Sequence, residues 1–181
     1  NLYLINSIGI KNVLEFDWWD SSTVNSDTIV SFTPTQHGSA RGLFDQNKSL
    51  WGSYYIKQGD RSIYFGGDAG YSTHYLEIYK RLGAPDIAIL GIGAYRPRWF
   101  MKPIHMNPSE AIIAHKDLKA AVSIGMHFGT FQMSSESIDQ PKADLVKYLE
   151  KEGVDKNRFI TLNEGETRLF TSIDLEKSRT K

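Results

Sequence analysis

The sequence predicts an α/β domain built on a mixed sheet with helices on its outer face. Three observations carry this. Short β-rich runs come first, as a hairpin series over 28–34, 50–59 and 61–68. From residue 73 onward, apolar strands alternate with amphipathic helices, the order that lays helices against a partly parallel sheet. No internal repeat or low-complexity linker divides the chain, so its 181 residues suit one domain or a large part of one.

Taken in order, NLYLINSIGI (1–10) has an apolar pattern and a glycine at 9 that can stop a helix. The chain thus reads as beginning inside or just before an element, with a piece expected upstream of Asn1. VLEFDWW (13–19) alternates and is β-rich, which predicts a strand, and SSTVNSD (21–27) predicts a polar turn. TIVSFTP (28–34) predicts a strand closed by Pro34. Residues 35–49 form a long polar loop, a length more often functional than idle. LWGSYYIKQG and RSIYFGGD predict two strands joined at Gly59-Asp60.

A helix is predicted over 73–82, with Tyr75, Leu76, Tyr79 and Leu82 on one face and Gly83 and Pro85 at its end. DIAILGIG (86–93) and AAVSIGMHFG (120–129) read as strands buried on both faces. The helix between them, 107–120, opens with Asn107 as cap and Pro108 at its first position. KADLVKYLEKEG (142–153) predicts an amphipathic helix. RFITLNEGETRLF (158–170) predicts a closing strand pair, and the tail is expected to be polar and loose.

Twenty-one basic residues balance 21 acidic ones, so no global field steers the chain to nucleic acid, and none is expected as a partner. Without cysteine, disulfides and thiolate metal sites are excluded, and any metal must take histidine and carboxylate ligands. Cysteine absence fits a reducing compartment, so a cytoplasmic location is expected. No apolar run reaches the ~18–20 residues that span a bilayer, which leaves peripheral contact as the expected membrane mode.

Several polar residues sit just past the ends of predicted strands, where small-molecule sites gather in sheet proteins. His37 lies in TPTQHGSARG, Asp68 in IYFGGDAGY and His127 in SIGMHFGTF. Each alone suits a bland role: a loop histidine, a turn aspartate bonding its own backbone, a satisfied core histidine. Together, two histidines and a carboxylate at strand ends suit part of a metal site. AYRPRWFMKPIHMNP (94–108) sets Tyr95, Arg96, Arg98 and Lys102 beside Trp99 and Phe100, followed by His105. That cluster suits a phosphate group with an apolar tail nearby, against the plainer reading of a loop held by prolines and aromatic packing. His74 and His115 fall within helices and read as surface or packing residues.

FTPTQH, LWGSYYI, FGGDAGY, IGAYRPRWFMKPIHMNPSEA and MHFGTF, in this order, resemble the metallo-β-lactamase superfamily, most of all its branch of N-acylphosphatidylethanolamine-hydrolysing phospholipase D. The resemblance runs from GIKNVLEFDWWD to EGETRLF. It implies an αββα sandwich with two divalent metal ions, expected to be Zn²⁺, on its rim. His37 and His127 match metal-binding histidines, Asp68 the aspartate that bridges both ions, and His105 a histidine of the substrate-binding rim. Tyr95, Arg96, Arg98, Trp99 and Lys102 fall in the matching substrate segment.

The departure is the HxHxDH motif, which the family carries upstream of the region matching residues 10–20 and which this sequence lacks. The chain therefore reads as mainly the C-terminal half of the fold, with 1–172 as the domain part and 173–181 as a tail. The remaining ligands are expected upstream. Residues 1–181 alone are expected to bind metal poorly and to hydrolyse nothing. In the complete protein the resemblance implies phospholipid phosphodiester hydrolysis by metal-bound hydroxide, with Asp68 and His105 in catalytic roles. The alternatives are a sugar-phosphate lactonase of the same superfamily and a non-catalytic half that pairs with an N-terminal piece or forms a homodimer.

Overall fold

The computed structural model describes residue 5 and residues 7–179. The expectation about the opening decapeptide falls largely on residues outside that set. Among the described residues, a seven-stranded sheet runs in chain order: β1 (Ser21–Asn25), β2 (Thr28–Thr33), β3 (Ser53–Gln58), β4 (Arg61–Phe65), β5 (Ile87–Gly91), β6 (Val122–Met126) and β7 (Phe159–Thr161). β1 to β4 pair antiparallel through short connections, and β4 to β7 pair parallel. The parallel pairs need crossovers. These are α1 (His74–Leu82), α2 (Arg98–Met101) with α3 (Pro108–Leu118), and α4 (Gln140–Lys151); α5 (Ser172–Arg179) follows β7.

The start of α3 shows why the sequence turns helical where it does. The Asn107 side chain accepts from the Glu110 amide, and the Glu110 carboxylate accepts from the Asn107 amide, so two orphan donors of the first turn are satisfied reciprocally. Pro108 at the first position has no amide to leave unpaired.

The strand register sorts side chains onto two faces. Tyr55, Tyr64, Ala88, Leu90 and Phe159 point to the side where Tyr75 and Ile78 of α1, Ala111, Ile112 and Leu118 of α3, and Leu145 and Leu149 of α4 close one core. The other face carries Val30, Tyr54, Ile56, Ile63, Phe65, Ile87, Ile89 and Ile124, matched across neighbouring strands. It is apolar too, yet Ile63 remains 38% and Phe65 41% exposed. On this side Leu175 of α5 packs only at the strand starts, on Val122 beside Ile87, so β5 and β6 are not covered by helices along both faces as their continuous apolar runs suggested.

Four further expectations are corrected. Residues 13–17 form no strand. The Asp17 and Asp20 carboxylates close a turn, Trp19 adopts φ 78°, and Trp18 donates its indole N–H to the Trp51 carbonyl at 2.7 Å. Trp18 pins a loop by its side chain, while the Trp19 amide donates to the Phe32 carbonyl at 2.7 Å just ahead of β1. SSTVN, expected to turn, is β1: a polar edge strand held by pairing with β2 and by a Ser21–Ser31 hydroxyl contact of 2.7 Å. Of the closing strand pair only β7 exists, because Asn163 turns back onto the Glu166 carboxylate. The tail is not loose where described. α5 is capped reciprocally by Thr171 and Asp174, and Leu175 packs on Ala121 and Val122.

Candidate metal centre

Four loops meet beyond the ends of β2, β4, β5 and β6. The first meeting is between the segment after β2 and the turn after β4: Gln36 and Gly70 form an isolated bridge, with the Gly70 amide on the Gln36 carbonyl at 2.8 Å. A third loop closes over both. The Gln36 amide side chain donates to the Pro103 carbonyl at 2.9 Å, and the Met106 amide to the Ala69 carbonyl at 2.9 Å. Gly70 permits this approach, since a Cβ there would lie 2.6 Å from the Pro103 oxygen.

These contacts bring His37, Asp68, His105 and His127 together from four separate loops. Asp68 accepts from His127 Nε2 at 2.9 Å, and its other oxygen lies 4.0 Å from His37 Nε2. The rings of His37 and His105 stack with centroids 5.8 Å apart, and His105 meets His127 edge-on at 5.1 Å. One ligand atom each from His37, Asp68 and His105 falls within 4.8 Å of the others.

The donor chemistry fits a divalent ion. His37 Nδ1 contacts the Gly38 carbonyl at 2.9 Å, and His105 Nδ1 contacts the Ala94 carbonyl at 2.8 Å. A carbonyl only accepts, so Nδ1 carries a proton on both rings, and the neutral form of each ring then has a free lone pair on Nε2. Backbone carbonyls that fix the tautomer in this way are the usual outer support of histidine ligands. Asp68 is 45% exposed, open to an arriving ion.

The electrostatics follow from the same contacts. The hydrogen bond from His127 lowers the Asp68 carboxyl below its usual range against the opposing effect of burial, and the bond to Asp68 raises His127. Burial lowers His105, with the Ala94 carbonyl working the other way.

The backbone under His127 is tight. His127 itself has φ 63°, and a Cβ on Gly93 would lie 2.1 Å from the His127 carbonyl oxygen. Gly93→Ala is therefore expected to push the β6 end aside. It should destabilise the protein by ~1–3 kcal/mol, as overpacked sites do, and weaken metal binding. Denaturant unfolding and metal titration of the variant check this; values matching the parent would mean the loop yields freely.

The predicted substrate segment divides. Arg96, Trp99 and Lys102 are exposed, as is Phe100. Tyr95 and Arg98 are engaged within the protein. Tyr95 is buried and donates its hydroxyl proton to Asp144 at 2.7 Å. Arg98 forks onto Glu110 at 2.7 Å and onto the Tyr95 and His105 carbonyls at 3.2 and 3.0 Å. Glu110 balances its charge, and the three contacts hold the loop's shape.

The sequence reading missed Glu110 and Glu136, which brace this loop: Glu110 has the capping-box spacing from Asn107 but its second bond, to Arg98, is not local, and Glu136 sits in a polar stretch with no distinguishing pattern. His74 and His115 lie in the interior. His74 contacts Ser72 and Thr35, His115 contacts Ser123, and burial lowers each to about 4.

Beside His127 opens a pocket of about 320 Å³, walled by Ala94, Phe128, Phe131, Met133, Ile138 and Pro141. It lies between the candidate centre and the loop that follows β6.

A mixed sheet with helices on one face, carrying its polar cluster beyond strand ends, is the architecture of a metallo-β-lactamase-like α/β fold. The chain matches the family described as Beta-lactamase superfamily domain over residues 3–128, and it belongs to that family. It is 38% identical over 168 residues to N-acyl-phosphatidylethanolamine-hydrolyzing phospholipase D 1 of Caenorhabditis elegans, an alignment covering 90% of this chain and 47% of that protein. It is 37% identical over 172 residues to the mitochondrial N-acyl-phosphatidylethanolamine-hydrolyzing phospholipase D of Saccharomyces cerevisiae, covering 92% of this chain and 36% of that one. The chain thus spans less than half the length of either relative. In fold it is similar to a metallo hydrolase of Ignicoccus hospitalis, with TM-score 0.69, 21% identity, and coverage of 93% of this chain and 65% of the other.

Proposed function

We propose that this chain supplies part of the metal centre and the substrate rim of a divalent-metal hydrolase that cleaves the phosphodiester of a lipid of the N-acylphosphatidylethanolamine kind. The observation that carries the reading is the convergence of His37, Asp68, His105 and His127 next to an apolar pocket. Histidine nitrogen with carboxylate oxygen is a donor set suited to zinc. His37 and His127 would each hold one of two ions and Asp68 would bridge them. That leaves each ion one histidine and a shared carboxylate from this chain, short of the three protein ligands usual at a catalytic zinc. The remaining ligands are assigned to an N-terminal half of the fold.

Bound ions would supply Lewis acidity and an acidified water. The chain's own residues do the rest. Asp68 holds its charge at the centre of the rim. His105, with its proton fixed on Nδ1, turns Nε2 toward the reacting group, where it can take a proton or receive a hydrogen bond. Exposed Arg96 and Lys102 attract the phosphate or an anionic headgroup layer, and Trp99 and Phe100 suit the membrane interface. The pocket beside His127 offers hydrocarbon a dry wall. The proposed contact is peripheral, from a cytoplasmic location; among the described residues no helix is long and apolar enough to cross a membrane.

The test is an assay of the complete protein on N-acylphosphatidylethanolamine and on a phosphorylated lactone, before and after chelation and zinc return. Head-group release that chelator removes and zinc restores is the expected result. Lactone opening without lipid cleavage would move the protein to the lactonase reading.

A further inference from the structure

We infer that Glu136 is a positioning residue for His105, acting through the single peptide group that joins Ala94 to Tyr95. Glu136 lies in the loop between β6 and α4 and is only 5% exposed. A carboxylate so buried needs partners. Its Oε1 accepts the Tyr95 amide and its Oε2 the Arg96 amide, both at 3.0 Å. The Tyr95 N–H and the Ala94 C=O belong to one rigid plane, so fixing one end fixes the other. At that other end the Ala94 oxygen receives the Nδ1 proton of His105 at 2.8 Å.

The result is a carboxylate–histidine pair with one peptide group between its members. Hydrogen bonds in a chain polarise one another, so a charged acceptor on the Tyr95 amide makes the Ala94 carbonyl a stronger acceptor for His105. Ala94 also has φ 57°, a left-handed conformation that a residue with a side chain keeps only under restraint. The two amides that follow it are the ones Glu136 holds. Burial tends to raise the Glu136 carboxyl, but hydrogen bonds from Ser134 and from the amides outweigh it and keep the group ionised at neutral pH. Glu136 borders the apolar pocket, yet both oxygens are engaged by backbone, so it acts on the loop rather than on substrate.

The inference rests on the rim position proposed for His105, and the test separates the two. Glu136→Gln keeps the shape but offers one acceptor and sets an NH₂ against an amide. In the complete protein it is expected to lower kcat by ~10–100-fold, the range for outer supports of a site, with KM and metal content little changed. In a His105→Ala background the same change is expected to alter kcat by less than about twofold, because coupled groups fail to add. Long-range ¹H–¹⁵N spectra of the metal-free protein should show His105 locked as the Nδ1–H tautomer, and Glu136→Gln should mix its tautomers while leaving His115 unchanged. If the losses multiply, or the His105 tautomer is untouched, Glu136 only braces the loop and the inference fails. If the tautomer changes but His105→Ala is fully active, the inference stands and the role of His105 falls. Should Glu136→Gln not fold, Glu136→Asp, one methylene short of the amides, takes its place in each comparison.

Discussion

Asp68→Asn in the complete protein is expected to cut turnover by about three orders of magnitude and to lower the metal content, while leaving the fold intact. Asparagine is nearly isosteric, so the turn after β4 loses little. What it loses is the charge. Asp68 is the only carboxylate in the convergent group, with His127 at 2.9 Å on one oxygen and His37 at 4.0 Å from the other. A neutral amide can neither bridge two cations nor accept on both atoms. Metal-ion stabilisation of transition-state charge is worth several kcal/mol, and each ~1.4 kcal/mol is tenfold in rate, which gives the size of the loss. The centre is half-exposed, so metal-free stability should hardly move. Activity and metal analysis on the same preparation decide it. Near-normal turnover with normal metal would remove Asp68 from the bridging position.

Much of this arrangement was legible in residue order, and the limits of legibility are physical. The helices α1, α3 and α4 announced themselves because apolar spacing is local, as is the Asn107 cap of α3; Thr73 before α1 and Asp139 before α4 make no side-chain cap. The hairpin over β3 and β4 announced itself too. His37, Asp68 and His127 were legible as polar residues at strand ends, but their convergence was not. It depends on the Gln36–Gly70 bridge and the Pro103 contacts, which join positions more than thirty residues apart. VLEFDWW misled because a Trp pair serves packing and strands equally well in pattern. β1 was missed because an edge strand of Ser, Thr and Asn has no apolar alternation and exists only through its partner. The helix at the C-terminus was readable: Thr171 and Asp174 have the spacing of a reciprocal cap. The partner of Arg98 was not legible either. A cation beside aromatic residues looks the same in sequence whether its carboxylate partner is a ligand or a residue twelve positions on.

Replacing Ile63 by Lys in the complete protein is expected to destabilise it by ~3 kcal/mol or more, whereas Gln58→Ser on the same hairpin should change stability by less than about 0.5 kcal/mol. The contrast follows from the part of this sheet face that α5 leaves exposed, where Ile63 and Phe65 lie. Ile63 pairs with Ile56 on one side and Ile87 on the other, and Phe65 pairs with Tyr54 and Ile89, so the apolar surface continues across three strands. Patches of this kind on a described surface mark a place where something packs. The proposed occupant is the other sheet of the sandwich, supplied by an N-terminal half, which would put Ile63 in a dry interface where an unpaired ammonium is costly. In residues 1–181 alone the cost should all but vanish. There the face meets water, so Ile63→Lys should change stability little. Equal, small effects in both proteins would mean that the face stays open, and the second sheet would have to be given up. A large cost in both would instead mean that a second copy of this same chain covers the face, which is the homodimer reading.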